Sequence, residues 1–147
     1  VPLAVGAIVG GGTEEQIEAL RSFGLATGLA FQIQDDILNL VGTGEATKKD
    51  FRSDITEGKR TLVAVHTLRN SPEAERFEEI LALGTTDPEL QAEAVAIAEA
   101  CGAIEHARTY AQSLVSDAKS TLDGVLEISE ARSLLESMAD FFVSRMS

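Results

Sequence analysis

Two adjacent aspartates, Asp35 and Asp36, interrupt a run of apolar residues and precede the densest group of basic residues in the chain. On a helical wheel, Gly28, Gln32 and Asn39 lie within about 60° of Asp35 and share its stripe. Oxygen ligands at this spacing suit Mg²⁺, which binds one or two carboxylates and completes its shell with water and phosphate oxygens. The same pattern is also typical of a solvated acidic surface, so the spacing alone leaves both interpretations open.

The basic group follows within one short segment. Five of the twelve lysines and arginines lie there, namely Lys48, Lys49, Arg52, Lys59 and Arg60. Glycines and the lack of periodic apolar residues predict a loop over residues 42–57. A loop of that length in a compact domain is usually functional or disordered, and its charged residues Lys48, Lys49, Arg52 and Asp54 favour a functional loop over simple solvation. Lys59 is predicted to lie at the start of the next helix, where backbone N–H groups also favour an anion.

The elements that must position these residues are predicted to be helices throughout. Residues 3–10 form the first, and a capping box at Thr13–Gln16 opens a long helix to about Leu40. The core face of that helix is predicted to carry Ala26, Leu29, Ile33, Ile37 and Leu40. Further helices are predicted over 62–70, 73–83, 88–101, 104–122 and from 130 onward, from their apolar periodicity and their caps. Tyr110 is expected in the core, and the last helix carries a broad apolar face around Leu134, Met138 and Phe141 that requires a partner.

Composition narrows the functional class. The chain has 147 residues, of which 44% are hydrophobic and 24% charged, as in an ordinary globular domain. Its net charge of −12 argues against nucleic-acid binding and against anionic membrane surfaces. A single cysteine, Cys101, rules out an internal disulfide and fits a reducing cytoplasm. No apolar run approaches the roughly 20 residues of a transmembrane helix. The apolar opening lacks a basic flank, so we interpret it as a severed core helix.

The motif Phe31–Asn39, FQIQDDILN, resembles the second aspartate-rich motif, FQIxDDxLD, of the trans-isoprenyl diphosphate synthases, the polyprenyl synthetase family. Lys49, Asp54 and the run EGKRT at 57–61 match the family's following pattern of a lysine, an aspartate and EGKxT. Two positions depart from the family: Asn39 replaces the usual aspartate, as in some geranylgeranyl diphosphate synthases, and Val63 replaces a frequent proline. The resemblance implies an all-α fold, the C-terminal portion of the isoprenoid synthase helical bundle.

The resemblance also implies roles for individual residues. Asp35 would coordinate the Mg²⁺ bound to an allylic diphosphate, with Asp36 and Asn39 supporting the ion or its waters. Asp35 and Lys59 are therefore the expected catalytic residues. Those expected to contact or orient the substrate are Phe31, Gln32, Lys49, Asp54 and Lys59. The implied reaction is head-to-tail condensation of the allylic diphosphate with isopentenyl diphosphate, and Asn39 points weakly to a geranylgeranyl product.

The family's first motif, DDxxD, is absent from this sequence. Residues 1–147 therefore resemble the C-terminal part of a single synthase domain, and we expect the chain alone not to catalyse prenyl transfer. The expected partners are the missing N-terminal half or a second subunit, and the expected assembly is a homodimer. Two other functions stay open: a non-catalytic subunit that modulates a full-length synthase, and a class I terpene cyclase. The retained metal and lysine positions disfavour the former, and the lack of an Asn/Asp-Ser-Glu triad disfavours the latter.

Overall fold

The structure, a computed structural model, describes residues 2–42 and 52–144, and the regular elements of these ranges are all helices. They are α1 (Pro2–Val9), α2 (Glu14–Val41), α3 (Ser53–Thr56), α4 (Leu62–Asn70), α5 (Ala74–Leu83), α6 (Pro88–Ala100), α7 (Ala103–Ser120) and α8 (Glu130–Ser144). The predicted all-α class is confirmed. The loop predicted over residues 42–57 is wrong at 53–56, where the chain forms α3.

Local capping chemistry sets several of the helix ends. At the start of α2, Thr13 N–H donates to Gln16 Oε1 over 3.0 Å, and Gln16 N–H donates to Thr13 Oγ1 over 3.3 Å, which is the reciprocal capping box. Asp87 caps α6 by accepting from Glu89 N–H at 2.9 Å. Gly84 ends α5 with φ of 57°, a left-handed conformation that a side chain would disfavour.

Contacts between residues divide the described chain into two units. The first takes the residues up to Gln32 and from Tyr110 onward, and the second takes those from Ile33 to Thr109. Within the second unit, helices α3 to α6 pack on one another. Its side chains with the least exposure include Ile37, Ile55 and Ile80. This packed group of helices carries the charged residues described below.

In the first unit, the buried stripe of α2 differs from the predicted one. Phe23, Thr27 and Ala30 are buried at the i, i+4, i+7 spacing of one helix face, whereas Leu29 is 47% exposed. The prediction of a core position for Leu29 was therefore wrong. Tyr110 is also 44% exposed, since the buried stripe of α7 passes through its neighbour Ala111 instead.

The apolar face of α8 remains exposed in this chain. Leu134 and Phe141 expose 62% and 61% of their surface, and Met138 exposes 46%. Phe142 contacts Phe31 of α2 edge-to-face, with ring centroids 5.1 Å apart. Among the helices within 2–42 and 52–144, none combines the length with the apolar character that a bilayer-spanning segment needs.

The guanidinium of Arg132 closes the turn between α7 and α8. Arg132, whose side chain is only 12% exposed, donates to the carbonyl oxygens of Leu122 at 3.2 Å and Leu126 at 2.9 Å. It also forms ion pairs with Asp123 and Glu136. Arg132 thereby ties the turn that follows α7 to the start of α8.

Candidate functional site

One ammonium group holds two buried carboxylates in the second unit. Lys59 lies between α3 and α4, and its Nζ is 2.7 Å from Asp36 Oδ1 and 3.4 Å from Asp54 Oδ1. Asp36 and Asp54 are each only 8% exposed, while the Lys59 side chain is 42% exposed. Two carboxylates and one ammonium leave a net negative charge when all three are ionised. The ionised cluster therefore favours a further positive charge nearby.

Burial and charge act on these groups in opposite directions. Burial raises the pKa of Asp54 above its usual 3.8, and the Lys59 ammonium offsets only part of that effect. The hydrogen bond to Asp36 is the main cause that raises the pKa of Lys59 above 10.5. Lys59 is therefore charged at neutral pH, and its ammonium does not fully offset the cost of burying the Asp54 carboxylate.

Asn39 connects the end of α2 to the segment that carries Asp54. Its Nδ2 donates to Ser53 Oγ at 2.9 Å, and its Oδ1 accepts from Asp54 N–H at 3.1 Å. Its backbone carbonyl accepts from Arg52 N–H at 2.9 Å. Arg52 adopts φ of 60°, the one positive-φ residue other than glycine in the described ranges. Sequence reasoning did not identify Arg52 or Ser53 as part of this arrangement, because the bonds join residues 13 to 15 positions apart.

The other predicted residues of the motif lie on the exposed side of α2. Asp35 is exposed, although its neighbour Asp36 is buried. Phe31 and Gln32 precede Asp35 on the same helix and are also exposed. Lys49, the predicted contact to the substrate, lies outside the described residues. Of the predicted site residues, the structure thus brings Asp36, Asn39, Asp54 and Lys59 into one connected group.

The donors in this group suit a hard cation but do not enclose one. Asp54 Oδ2 is buried and has no hydrogen-bond partner among the described residues. Within those residues, no group of three or more His, Cys, Asp and Glu side chains is arranged to hold a metal. Mg²⁺ commonly takes only one or two carboxylates and shares the rest of its shell with water and phosphate. The exposed Asp35 beside Asp36 fits that partial role.

A small cavity lies on the inner side of the charged cluster. Its walls include Asp54 and Lys59 together with apolar side chains such as Leu40, Ile55 and Phe77. Its volume is about 10 Å³, close to the smallest space that holds one water molecule. A diphosphate or a prenyl chain cannot enter it. A ligand of the cluster must therefore approach from the solvent side, where Lys59 and Asp35 are exposed.

Comparison with known proteins identifies the family. The model of the family described as polyprenyl synthetase matches residues 1–98. The chain is 46% identical over 140 residues to a short chain isoprenyl diphosphate synthase of Methanothermobacter thermautotrophicus, covering 95% of this chain and 43% of the relative. It is 40% identical over 142 residues to a geranylfarnesyl diphosphate synthase of Natronomonas pharaonis, covering 97% of this chain and 40% of the relative.

Solved structures agree with the sequence relatives. A geranylgeranyl pyrophosphate synthetase from Pyrococcus horikoshii superposes with a TM-score of 0.84 at 34% identity, over 97% of this chain and 43% of the other. A polyprenyl synthase from Caulobacter crescentus CB15, complexed with calcium and isoprenyl diphosphate, gives 0.87 at 32% identity, over 98% and 44%. The chain thus spans less than half the length of these relatives and shares their helical fold. It belongs to the polyprenyl synthetase family.

Proposed function

We propose that this chain supplies one wall of a Mg²⁺-dependent site that joins an allylic diphosphate to isopentenyl diphosphate. The observation that carries the proposal is the Lys59 ammonium, shared between buried Asp36 and Asp54 and exposed on its outer side. The half-exposed Lys59 offers a positive group for a diphosphate, and the exposed carboxylate of Asp35, the sequence neighbour of Asp36, offers an oxygen ligand for its metal. The family's named activities and the isoprenyl diphosphate and metal ions in related structures support the same chemistry.

The metal would be held by carboxylates at the end of α2. Asp35, which is exposed, and Asp36 beside it would be the ligands, and Asn39 is the third position that the motif predicts. Bound Mg²⁺ would neutralise charge on the diphosphate and so favour cleavage of the allylic C–O bond. That role needs no enclosed protein cage, since the diphosphate oxygens and water complete the shell.

The remaining side chains would bind and orient the substrate. Lys59 would contact the diphosphate and stabilise the charge that develops as it leaves, with no reorganisation because Asp36 already fixes its position. Lys49 would add a second ammonium, and Gln32 and Phe31 would contact the allylic substrate from the preceding turn of α2. Asp54 would hold Lys59 in place from the opposite side.

Catalysis would require residues in addition to those of this chain. The relatives are more than twice as long as this chain, and the family's first DDxxD motif has no counterpart here. We propose that the 147-residue chain corresponds to the C-terminal part of a synthase domain, binds diphosphate, and does not turn over alone. A homodimer in a reducing cytoplasm is the setting we propose for the complete enzyme. Detection of prenyl transfer by the pure chain would contradict this division of the site.

Calorimetric titration with inorganic pyrophosphate, with and without Mg²⁺, tests the proposal. We expect binding that depends on Mg²⁺, and we expect Asp35→Asn to weaken it by roughly tenfold to a hundredfold, the range for losing a charge-assisted contact. Asp117→Asn is the matched control, because Asp117 is an exposed helical aspartate on α7, in the first unit. Binding that is absent, independent of Mg²⁺, or equally affected by both substitutions would refute the proposal.

A further inference from the structure

The end of α2 holds three consecutive residues of the facing segment through one asparagine. The carbonyl oxygen of Asn39 accepts from Arg52 N–H, its Nδ2 donates to Ser53 Oγ, and its Oδ1 accepts from Asp54 N–H. The three distances are 2.9, 2.9 and 3.1 Å, so all are ordinary hydrogen bonds. Asn39 thus fixes the register of residues 52–54 against a rigid helix.

Residues 52–54 would not keep their backbone conformation without bonds to other parts of the chain. Arg52 adopts a left-handed backbone conformation, with φ of 60°, which is unfavourable for a residue with a Cβ atom. The helix that follows, α3, has only four residues, too few to be stable by its own hydrogen bonds. External contacts must therefore hold it: Asn39 bonds to its first residues, and Thr56 at its end donates to the Thr85 carbonyl oxygen.

The bond to Asp54 connects Asn39 with the charged cluster. Within the single residue Asp54, the backbone N–H is held by Asn39 and the carboxylate meets Lys59. Moving that backbone by even a fraction of a hydrogen-bond length would change the Asp54–Lys59 distance, which at 3.4 Å is already near its limit. Asp36 holds the Lys59 ammonium at 2.7 Å, and the Asn39 amide sets the second of its two carboxylate contacts, the one with Asp54.

We propose that Asn39 is a positioning residue that sets the place of Lys59 through Asp54, and that it is not a third magnesium ligand. This inference rests on the proposed function and assigns Asn39 a different part in the same site. The amide oxygen is aimed at the backbone of α3, and the amide nitrogen at Ser53, so the planar group faces protein at both ends.

The choice of an amide has its own physical reason. An aspartate at position 39 could accept from both the Ser53 hydroxyl and the Asp54 N–H, so it would keep both bonds. It would also add a fourth carboxylate to Asp35, Asp36 and Asp54, and would raise the repulsion within the cluster. Asparagine makes the same connections without that charge.

Hydrogen exchange measured by NMR tests the hold on Asp54 directly. In Asn39→Ala, the Asp54 amide loses its acceptor and should exchange roughly tenfold faster, the effect of one lost hydrogen bond. Asn39→Asp should restore protection, because a carboxylate also accepts. The Ala64 amide, which donates to Thr61 Oγ1, is the internal control and should keep its rate. Unchanged exchange at Asp54 in Asn39→Ala would overturn the inference.

Titration with Mg²⁺ and pyrophosphate then separates positioning from ligation. We expect Asn39→Ala and Ser53→Ala each to weaken pyrophosphate binding, with the double variant no weaker than Asn39→Ala, since both remove the same Asn39–Ser53 bond. If Asn39 were a metal ligand, we would expect different results. Ser53→Ala would bind pyrophosphate like the wild type, and Asn39→Asp would bind Mg²⁺ alone more tightly than the wild type. That second pattern would overturn the inference.

The failure of the proposed function gives a different result. If the wild-type chain shows no Mg²⁺-dependent pyrophosphate binding, the proposed function falls. The amide exchange of Asp54 and the acylation rate of Lys59, quantified by mass spectrometry against Lys119, then decide whether Asn39 holds the cluster. Faster labelling of Lys59 in Asn39→Ala supports the inference, and an unchanged Lys59-to-Lys119 ratio overturns it.

Discussion

Replacing Lys59 with methionine removes the cation from between two carboxylates and keeps a stem of similar length. The side chains of Asp36 and Asp54 are only 11% and 10% exposed, so water cannot readily take over from the ammonium. Breaking a fully buried ion pair by removing one partner costs about 3–5 kcal/mol. Because Lys59 is itself 42% exposed, solvent screens part of that interaction, and we expect a loss of about 2 kcal/mol in the free energy of unfolding at pH 7.

Urea denaturation of the wild type, Lys59→Met and Lys119→Met measures this loss against a matched control. Lys119 forms an ion pair with Asp140, whose side chain is 58% exposed, and such surface pairs contribute about 0.2–1 kcal/mol. Added Mg²⁺ should raise the urea midpoint of Lys59→Met more than that of the wild type, because a second cation can partly replace the lost one. Equal losses for the two lysine variants would refute the reasoning.

The pH dependence of the urea denaturation follows from the direction of the pKa shifts in the Lys59 cluster. The pKa of Lys59 is raised in the folded state, so its contribution is fully present below about pH 10.5 and is lost as the pH rises through the folded pKa. At acid pH, protonation of Asp54, whose folded pKa is raised, removes one of the two charges that Lys59 compensates, and the difference between Lys59→Met and wild type should shrink. A difference that stays constant from pH 7 to pH 4 would contradict the assigned cause.

Two further substitutions test the neighbouring interactions. Burial raises the pKa of Asp54 more than Lys59 lowers it, so the ionised Asp54 carboxylate destabilises the fold. The Asp54→Asn variant should therefore unfold at an equal or higher urea concentration than the wild type at pH 7. It should also bind pyrophosphate more weakly. Since the folded pKa of Asp54 is raised, the wild type gains stability as the pH falls through that pKa, and the advantage of Asp54→Asn should disappear there. A urea midpoint of Asp54→Asn below that of the wild type at pH 7 would contradict this reasoning. Arg132→Met removes the guanidinium from the carbonyls of Leu122 and Leu126 and should lower the free energy of unfolding, measured by calorimetry. An unchanged free energy of unfolding would show that water replaces these bonds.

Helices whose signals lie within a few residues were predictable from the sequence. The capping box at Thr13–Gln16 and the Asp87–Pro88 start are formed by neighbours in sequence, and both occur as predicted. Helix α3 was not predictable, because the contacts that hold it come from distant residues: Asn39, some 14 positions earlier, and Thr85, which accepts from Thr56. The exposure of Leu29 was also missed, because each unit selects which face of α2 it buries.

The residue types of the proposed site were predictable from the motif, but which aspartate is buried and which is exposed was not. One residue along a helix is a rotation of 100°, which is enough to bury Asp36 against Lys59 and leave Asp35 exposed. No periodic pattern distinguishes two adjacent aspartates in that way. Only the placement of Lys59, on a different segment 23 residues away, decides which carboxylate it holds.

The arrangement separates fixed charges from accessible ones. Asp36 sits on a long helix, Asp54 is held by Asn39, and together they keep Lys59 in place from the protein side. The cavity behind them admits no more than about one water molecule, so an anion reaches Lys59 only from solvent. Under the proposed function, a diphosphate would therefore meet an ammonium that is already oriented, and it would leave without unfolding the cluster, since the buried carboxylates would still compensate Lys59. Such a site would combine a fixed inner side with an open outer one, as repeated binding and release of a highly charged group requires.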